Sequence, residues 1–308
     1  MPATPHGTKG VETGVGLTAL LVAAARAIET HRPDALARDE YAEHFVRAAP
    51  ACANWPVRPD EVPGGDADPL WGRLGRYFGL RTRVFDDHLQ DRAGAGTRQL
   101  VLLGAGLDTR AYRLPWPSGS TVFEIDQEPV LAFKQHTLDA LSAAPRARRV
   151  TIAADLRRDD WPHALLAAGF DPARPTAWLA EGLLLYLPAA AERRLITAVT
   201  TLSAPGSSLV YEVKVGVEPA AVRDSPLYTA ARERIGVDLL ALFDPDPRPD
   251  SATTLTHQGW HTTTHTPFDH THHLNTPLHP QPQDPLSTNR WITTHQPPAD
   301  TVTPLPGR

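Results

Sequence analysis

The residues of this 308-residue chain best suited to chemistry lie in Arg98-Gln99-Leu100-Val101-Leu102-Leu103-Gly104-Ala105-Gly106-Leu107-Asp108-Thr109-Arg110. An apolar, β-prone run ends in a glycine turn, and a helix-compatible segment follows. Gly104, Ala105 and Gly106 let the backbone approach a ligand closely, and the next helix aims its N-terminus at the same place. In open α/β sheets that crevice takes nucleotide-like ligands. About twenty residues further on, Ser120-Thr121-Val122-Phe123-Glu124-Ile125-Asp126 reads as a second strand ending in acid. A carboxylate at its tip, Asp126 or Glu124, can accept both hydroxyl protons of an adenosine ribose. The competing reading makes these a solvated strand end, or makes Asp126 the N-cap of a helix starting near Glu128. Thr109 occupies the place where a dinucleotide fingerprint wants its third glycine, which argues against a dehydrogenase.

A further carboxylate stands out by its surroundings. Glu181 follows Ala177-Trp178-Leu179-Ala180 and precedes Gly182-Leu183-Leu184-Leu185. An acid in so apolar a context is costly without a partner, and that marks it as functional. His270-Thr271-His272-His273 looks like a metal tract, and eight of the 14 histidines fall after residue 250. The tract lacks acidic or cysteine companions at a fixed spacing, so it reads as compositional bias, and no metal site is expected.

These side chains need a scaffold, and the hydrophobic pattern supplies one. Strands are expected near 99–103, 121–125, 149–153, 176–180 and 207–213, alternating with helices near 107–113, 128–142, 160–168 and 189–203. Such alternation predicts a parallel sheet with crossover helices. Upstream, Gly16–Thr30 shows helical periodicity through Leu17, Leu20, Leu21, Ala24 and Ile28. A second helix is expected over Asp39–Ala49, a loop over Pro50–Pro69, and a broken helix over Pro69–Gln90 with Gly72, Gly75 and Gly79 inside it. After Glu212 the pattern changes to a helix over Val217–Phe243, a Pro/Asp linker over Asp244–Asp250, and strands near 260–265 and 290–295.

Bulk properties narrow the classes. A net charge of −5 without a basic stripe speaks against nucleic acid. Cys52 is the single cysteine, which excludes an intrachain disulfide and a cysteine-based zinc site and fits a reducing cytosol. The longest apolar run, Leu17–Ala25, is too short to span a bilayer, and no signal-like leader is visible, so a cytoplasmic protein without membrane contact is expected. Nothing in the sequence sets the oligomeric state.

Several motifs, taken in order, carry a resemblance. They are Thr18-Ala19-Leu20-Leu21 with Arg26-Ala27-Ile28-Glu29, then Arg81-Thr82-Arg83-Val84-Phe85-Asp86-Asp87, then Gly104–Leu114, Glu124-Ile125-Asp126-Gln127, Ala154-Asp155-Leu156-Arg157 and Ala180–Leu187. Together they resemble the leucine carboxyl methyltransferase family of S-adenosylmethionine-dependent enzymes, and within it an actinobacterial branch of O-methyltransferases. The likeness covers residues 14–215; in the C-terminal third only Gly259-Trp260 and Asn289–Thr294 are faintly similar.

The resemblance implies an α/β, Rossmann-like class I fold: a seven-stranded, mostly parallel sheet in the order 3-2-1-4-5-7-6 with a helical lid. One domain over 1–308 is expected, with a helical cap (14–95), a cofactor-binding core (96–213), a lid insertion (214–250) and C-terminal strands (251–308). It also implies S-adenosyl-L-methionine as cofactor. Asp126, with Glu124, would hold the ribose. Asp155 and Leu156 would frame the adenine, and Arg81 would anchor the cofactor carboxylate with its guanidinium fork. Gly104, Ala105 and Gly106 would meet the methionine part, and Glu181 with Gly182 would face the amino group or the sulfonium. Plainer roles compete: Arg81 paired at the surface with Asp86 or Asp87, Asp155 as a helix cap, and Arg26 on a solvated face. No catalytic residue is named. The expected activity is O-methylation of a small-molecule carboxylate or acidic hydroxyl in secondary metabolism. The alternatives are a silent cofactor-binding protein and a nicotinamide-dependent dehydrogenase. Contacts to the acceptor are expected from 50–75 and 215–250.

Overall fold

Each apolar run of the middle third forms a strand whose side chains alternate between two helical layers. In β1 (Gln99–Leu103) every residue is buried; Leu100 and Leu102 join one core cluster, Val101 and Leu103 the other. Burial on both faces is what a central parallel strand requires, and it explains a continuous apolar run in place of alternation. The computed structural model describes residues 11–216, 220–273 and 278–298. With β2 (Thr121–Asp126), β3 (Arg148–Ala153), β4 (Thr176–Ala180), β5 (Ser208–Lys214), β6 (His261–His265) and β7 (Asn289–His295), β1 builds one seven-stranded sheet in the order β3-β2-β1-β4-β5-β7-β6. β1 to β5 pair in parallel, and β7 lies antiparallel to both β5 and β6. This is the strand order that the family resemblance implies. The chain leaves β1 toward β2 and β3, then returns to β4 on the other side. The order therefore reverses between β1 and β4, and a crevice opens there at the carboxyl ends.

One layer contains α1 (Gly14–Thr30), α2 (Ala42–Ala48), α3 (Trp71–Gly94), α4 (Arg110–Arg113) and α5 (Glu128–Ala140). The other holds α6 (Trp161–Ala167) and α7 (Ala189–Thr201), with Trp161, Phe170 and Trp178 at its centre. α3 corrects one expectation: it runs unbroken for 24 residues through Gly72, Gly75 and Gly79. A side chain at Gly79 would collide with the side chain of Glu29 on α1, so glycine is required for the two helices to cross closely. That packing offsets a helix-propensity cost of about 1 kcal/mol per glycine.

The segment after β5 also differs from expectation. In place of one helix over 217–243 there are α8 (Ala220–Arg223), α9 (Pro226–Ile235) and a 3-10 turn, Leu240–Leu242. Ser225 caps α9, Pro226 starts it, and Gly236 ends it in a left-handed conformation at φ 67°. A further helix, α10 (Ser251–His257), went unread because threonine is a poor helix former. Asp250 caps it by accepting from the Thr253 N–H at 2.9 Å, and Leu255 anchors it in the core.

Candidate functional site

A cavity of about 650 Å³ lies at the carboxyl ends of the strands. Its floor comes from the tips of β1, β2, β4 and β5 and from the turn after β3; its roof comes from α1, α3, the segment 227–243 and residues 285–289. The cavity has two ends of different construction.

At the first end the backbone shapes the wall. Gly104 turns at φ +66°, and a Cβ there would sit 2.9 Å from Leu183 Cδ1, so only glycine fits the turn. Ala105 also lines the cavity. Gly106 does not; its N–H donates to Asp126 Oδ2 at 2.6 Å, and its missing side chain faces Ala19. The other Asp126 oxygen accepts from the Gln127 N–H at 2.7 Å. Burial raises the Asp126 carboxyl above its ordinary range, against the pull of these two donors. Asp126 is thus a wall residue of the cavity and not the cap of α5. Across the gap Asp155 and Leu156 also line it. Asp155 accepts from the Arg157 N–H at 3.0 Å and pairs with Arg157 Nη2 at 2.7 Å; these bonds hold its carboxyl below the ordinary range. It caps no helix, since α6 begins at Trp161.

Glu124 corrects another expectation. It is fully buried two residues back along β2, where Lys134 and Arg149 each donate to Oε2 at 2.8 Å. The carboxylate is spent on that ion pair inside the sheet layer and does not line the cavity.

The second end is assembled from buried charges. Arg81 is 4% exposed and lines the cavity, so the surface pairing with Asp86 or Asp87 does not occur. Its Nε sits 3.0 Å from Glu181 Oε1, its Nη1 donates to Glu212 Oε2, and its plane lies over the Phe78 ring at 4.5 Å. Nη2 makes no hydrogen bond among the described residues. Glu181 is shared: Arg110 Nη1 lies 2.8 Å from its other oxygen. Burial raises the Glu181 carboxyl, but Arg110 and Arg81 outweigh it and leave it below the ordinary range. Arg110 in turn binds Asp108 and, at 2.6 Å, Asp86, which also holds Arg113. Gly182, at φ +61°, lies beside the Arg81 guanidinium. Arg26 is buried as well, donating to the Leu107 carbonyl at 2.7 Å and pairing with Asp39 at 3.0 Å.

Three participants escaped the sequence reading. Arg110 belongs to the glycine motif but was given no role. Glu212 is an acid in the apolar run Leu209-Val210-Tyr211-Glu212-Val213, the same signal that exposed Glu181. Asn289 belongs to a strand too distant in sequence to be linked. Glu212 Oε1 accepts from the Tyr77 hydroxyl, from Trp291 Nε1 at 3.2 Å and from Asn289 Nδ2 at 3.5 Å. Beyond this cluster Leu227, Tyr228, Leu239 and Phe243 complete an aromatic and aliphatic wall, with Tyr186 against Phe243 at 5.9 Å. Leu74 is the lining residue from 50–75, while Tyr77, Phe78, Pro285, Leu286 and Asn289 line the cavity from outside the two expected segments.

The profile of the leucine carboxyl methyltransferase family matches residues 19–200. The chain belongs to that family. A relative from Streptomyces coelicolor, named as an S-adenosyl-L-methionine-dependent methyltransferase, is 62% identical over 292 residues, covering 94% of this chain and 96% of its own. One from Saccharopolyspora erythraea with the same designation is 48% identical, covering 81% and 84%. The fold is shared with a crystal structure of a methyltransferase-like protein from Thermobifida fusca at a TM-score of 0.53 and 19% identity, over 96% of this chain and 100% of that one. The protein is an S-adenosyl-L-methionine-dependent methyltransferase, and the dehydrogenase alternative falls away. The site suits this cofactor: a glycine turn with no room for a side chain, a half-buried carboxylate in the wall, and an arginine whose Nη2 is left without a hydrogen bond among the described residues.

Among the described residues no group of histidine, cysteine and acidic side chains has metal-binding geometry. The side chains of His272 and His273 lie outside the described residues. No described helix is long and apolar enough to cross a membrane.

Proposed function

We propose that this protein transfers a methyl group from S-adenosyl-L-methionine to an oxygen of a small-molecule carboxylate or acidic hydroxyl. The carrying observation is the state of the cavity's own acid–base groups. Among the described residues no histidine lines it. Glu181 and Glu212 are tied to Arg81, and Glu181 also to Arg110. Burial pushes the Tyr186 hydroxyl up to about 12 and raises the Tyr77 hydroxyl well above its ordinary value, so both stay protonated at neutral pH. His88 sits outside the cavity, 3.3 Å from Ser208 Oγ, and burial lowers it to about 4; His136 is exposed on α5. With none of these groups poised as a general base, an acceptor that arrives ionised, or is acidic enough to lose its proton unaided, fits the cavity best.

When bound, the cofactor supplies an electrophilic methyl group on a sulfonium. The chain's part is to hold, align and exclude water. In this reading Asp126 accepts from the ribose hydroxyls, and Asp155 with Leu156 borders the adenine. Gly104 and Ala105 border the methionine part. Arg81 takes the carboxylate through Nη2, and Glu181 with Gly182 faces the amino and sulfonium side. Gly106 acts indirectly, by fixing Asp126. The wall of Tyr186, Tyr228, Leu239 and Phe243 encloses the acceptor and favours an apolar body. Secondary metabolism rests on the actinobacterial likeness alone.

The test is mass-spectrometric detection of S-adenosylhomocysteine and methylated product across a panel of carboxylic acids and phenols at several pH values. Rates are expected to follow the ionised fraction of each acceptor. Turnover of amines alone would overturn O-methylation, and tight cofactor binding with no turnover of any nucleophile would support a silent binder.

A further inference from the structure

Glu212 has no role in the reading above, yet it is 3% exposed, lines the cavity and touches Arg81. A linked series of ion pairs runs from it through Arg81, Glu181 and Arg110 to Asp108, Asp86 and Arg113. That series contains four carboxylates against three guanidiniums. Removing Glu212 would make it even. Within the series the excess negative charge falls at the cavity end, where Glu212 terminates it; Lys214, the cation two residues further along β5 in the same wall, is engaged by the Pro285 carbonyl at 2.7 Å and by Asn289 Oδ1 at 3.1 Å. Both Glu212 oxygens are already occupied, one by Arg81 and the other by Tyr77, Trp291 and Asn289. Glu212 therefore acts on a ligand through charge and through Arg81. It occupies Nη1 and leaves Nη2 as the hydrogen-bonding group for a carboxylate. A lone anion placed there meets the residual negative charge; a zwitterion brings an ammonium that compensates it.

We propose that Glu212 is a positioning residue that makes the Arg81 subsite select an α-amino acid zwitterion over a simple carboxylate. The proposal rests on the reading that Arg81 receives the cofactor carboxylate. Its partners on β7, Asn289 and Trp291, lie beyond the stretch matched by the family profile. Cofactor discrimination is thereby tied to the antiparallel end of the sheet.

The experiment is calorimetric titration of the full chain with three probes. These are S-adenosylhomocysteine, with a zwitterionic tail; its deaminated α-keto analogue, with an anionic tail; and 5′-methylthioadenosine, with no charged tail. The unaltered protein is expected to prefer the first over the second. In Glu212→Gln, which keeps shape and removes charge, that preference should narrow by about fivefold or more, while methylthioadenosine binds as before. Asn289→Ala thins the network but keeps the charge, and should keep the preference. An unchanged preference in Glu212→Gln overturns the proposal, as does equal narrowing in Asn289→Ala or loss of all three probes in both variants. Arg81→Ala separates the underlying reading: if it leaves the ratio of S-adenosylhomocysteine to methylthioadenosine affinity unchanged, Arg81 is not the anchor and the proposal falls with it. If Arg81→Ala abolishes tail recognition while Glu212→Gln keeps full selectivity, the anchor stands and the proposal alone fails.

Discussion

The two ends of the cavity are held by different means. At the Gly104–Asp126 end, backbone geometry does the shaping, and Asp126 is fixed by two N–H groups from residues close to it on the strand tips. At the Arg81–Glu212 end, the shape depends on side chains from α3, β4, β5 and β7 meeting around buried charge. The first is built locally and is secure once β1 and β2 pair. The second exists only when distant elements have docked, and each member there constrains several others. A buried ion network of this kind is weak evidence of net stability, but removing one partner strands the rest.

The largest effect should therefore come from the hub of that network. Arg110→Ala leaves Asp86, Asp108 and Glu181 short of a partner and is expected to cost about 3–5 kcal/mol of stability, read by denaturant unfolding. A loss below about 1 kcal/mol would erase the contrast between the two ends. Next, Asp126→Ala and Arg81→Ala should each weaken S-adenosylhomocysteine about ten- to a hundredfold in calorimetry; wild-type-like affinity in both would remove the site assignment. Phe243→Ala should raise the acceptor KM about tenfold and leave S-adenosylhomocysteine affinity close to normal. Parallel losses of both ligands would show that the ends are not separable.

The smallest expected effect is a pH dependence beside the Tyr186–Phe243 wall. Arg248 donates to the carbonyls of Leu184 and Leu187 at 2.8 and 2.9 Å, to Glu192 at 3.2 Å and to Asp244 at 3.2 Å. It thereby fastens the linker after Phe243 to the turn carrying Tyr186. Burial raises the Glu192 carboxyl from 4.5 to about 7, against the pull of Arg248. The folded state then binds the proton more tightly than the unfolded chain. This contribution to stability is full below pH 4.5 and is lost as pH rises toward 7. Glu192→Gln should flatten that slope in unfolding curves taken across the interval. An unchanged slope would place the effect elsewhere, with Glu29, likewise raised to about 7, as the next group to test.

The same contrast governs what was legible in the sequence. The strands, Gly104 and Asp126 were readable as local patterns, strand tips and a glycine turn, whereas the strand order, Asp155 and Arg81 came from the family resemblance; all four residues line the cavity. Glu181 was readable as an acid too costly to bury alone. Its partner Arg110 was not, because a pairing between residues far apart in sequence leaves no periodic trace. Glu124 misled for a related reason. Two acids alternating along β2 share a face, and only depth along the strand decides which meets the cavity and which meets Lys134. The α3 glycines misled because propensity alone cannot see Glu29 pressing against Gly79.

The sheet order carries a consequence for synthesis. β5 pairs on one side with β4, made shortly before it, but its other neighbour is β7, residues 289–295. As the chain leaves the ribosome, the outer edge of β5 stays open until residue 295 has been made, and an open strand edge invites pairing with other chains. A product cut short before Asn289 would carry the Gly104 turn and Asp126, yet it would lack the strand that seats Glu212. Messages truncated in their last coding stretch should therefore yield sticky, ligand-poor protein, a built-in mark for quality control.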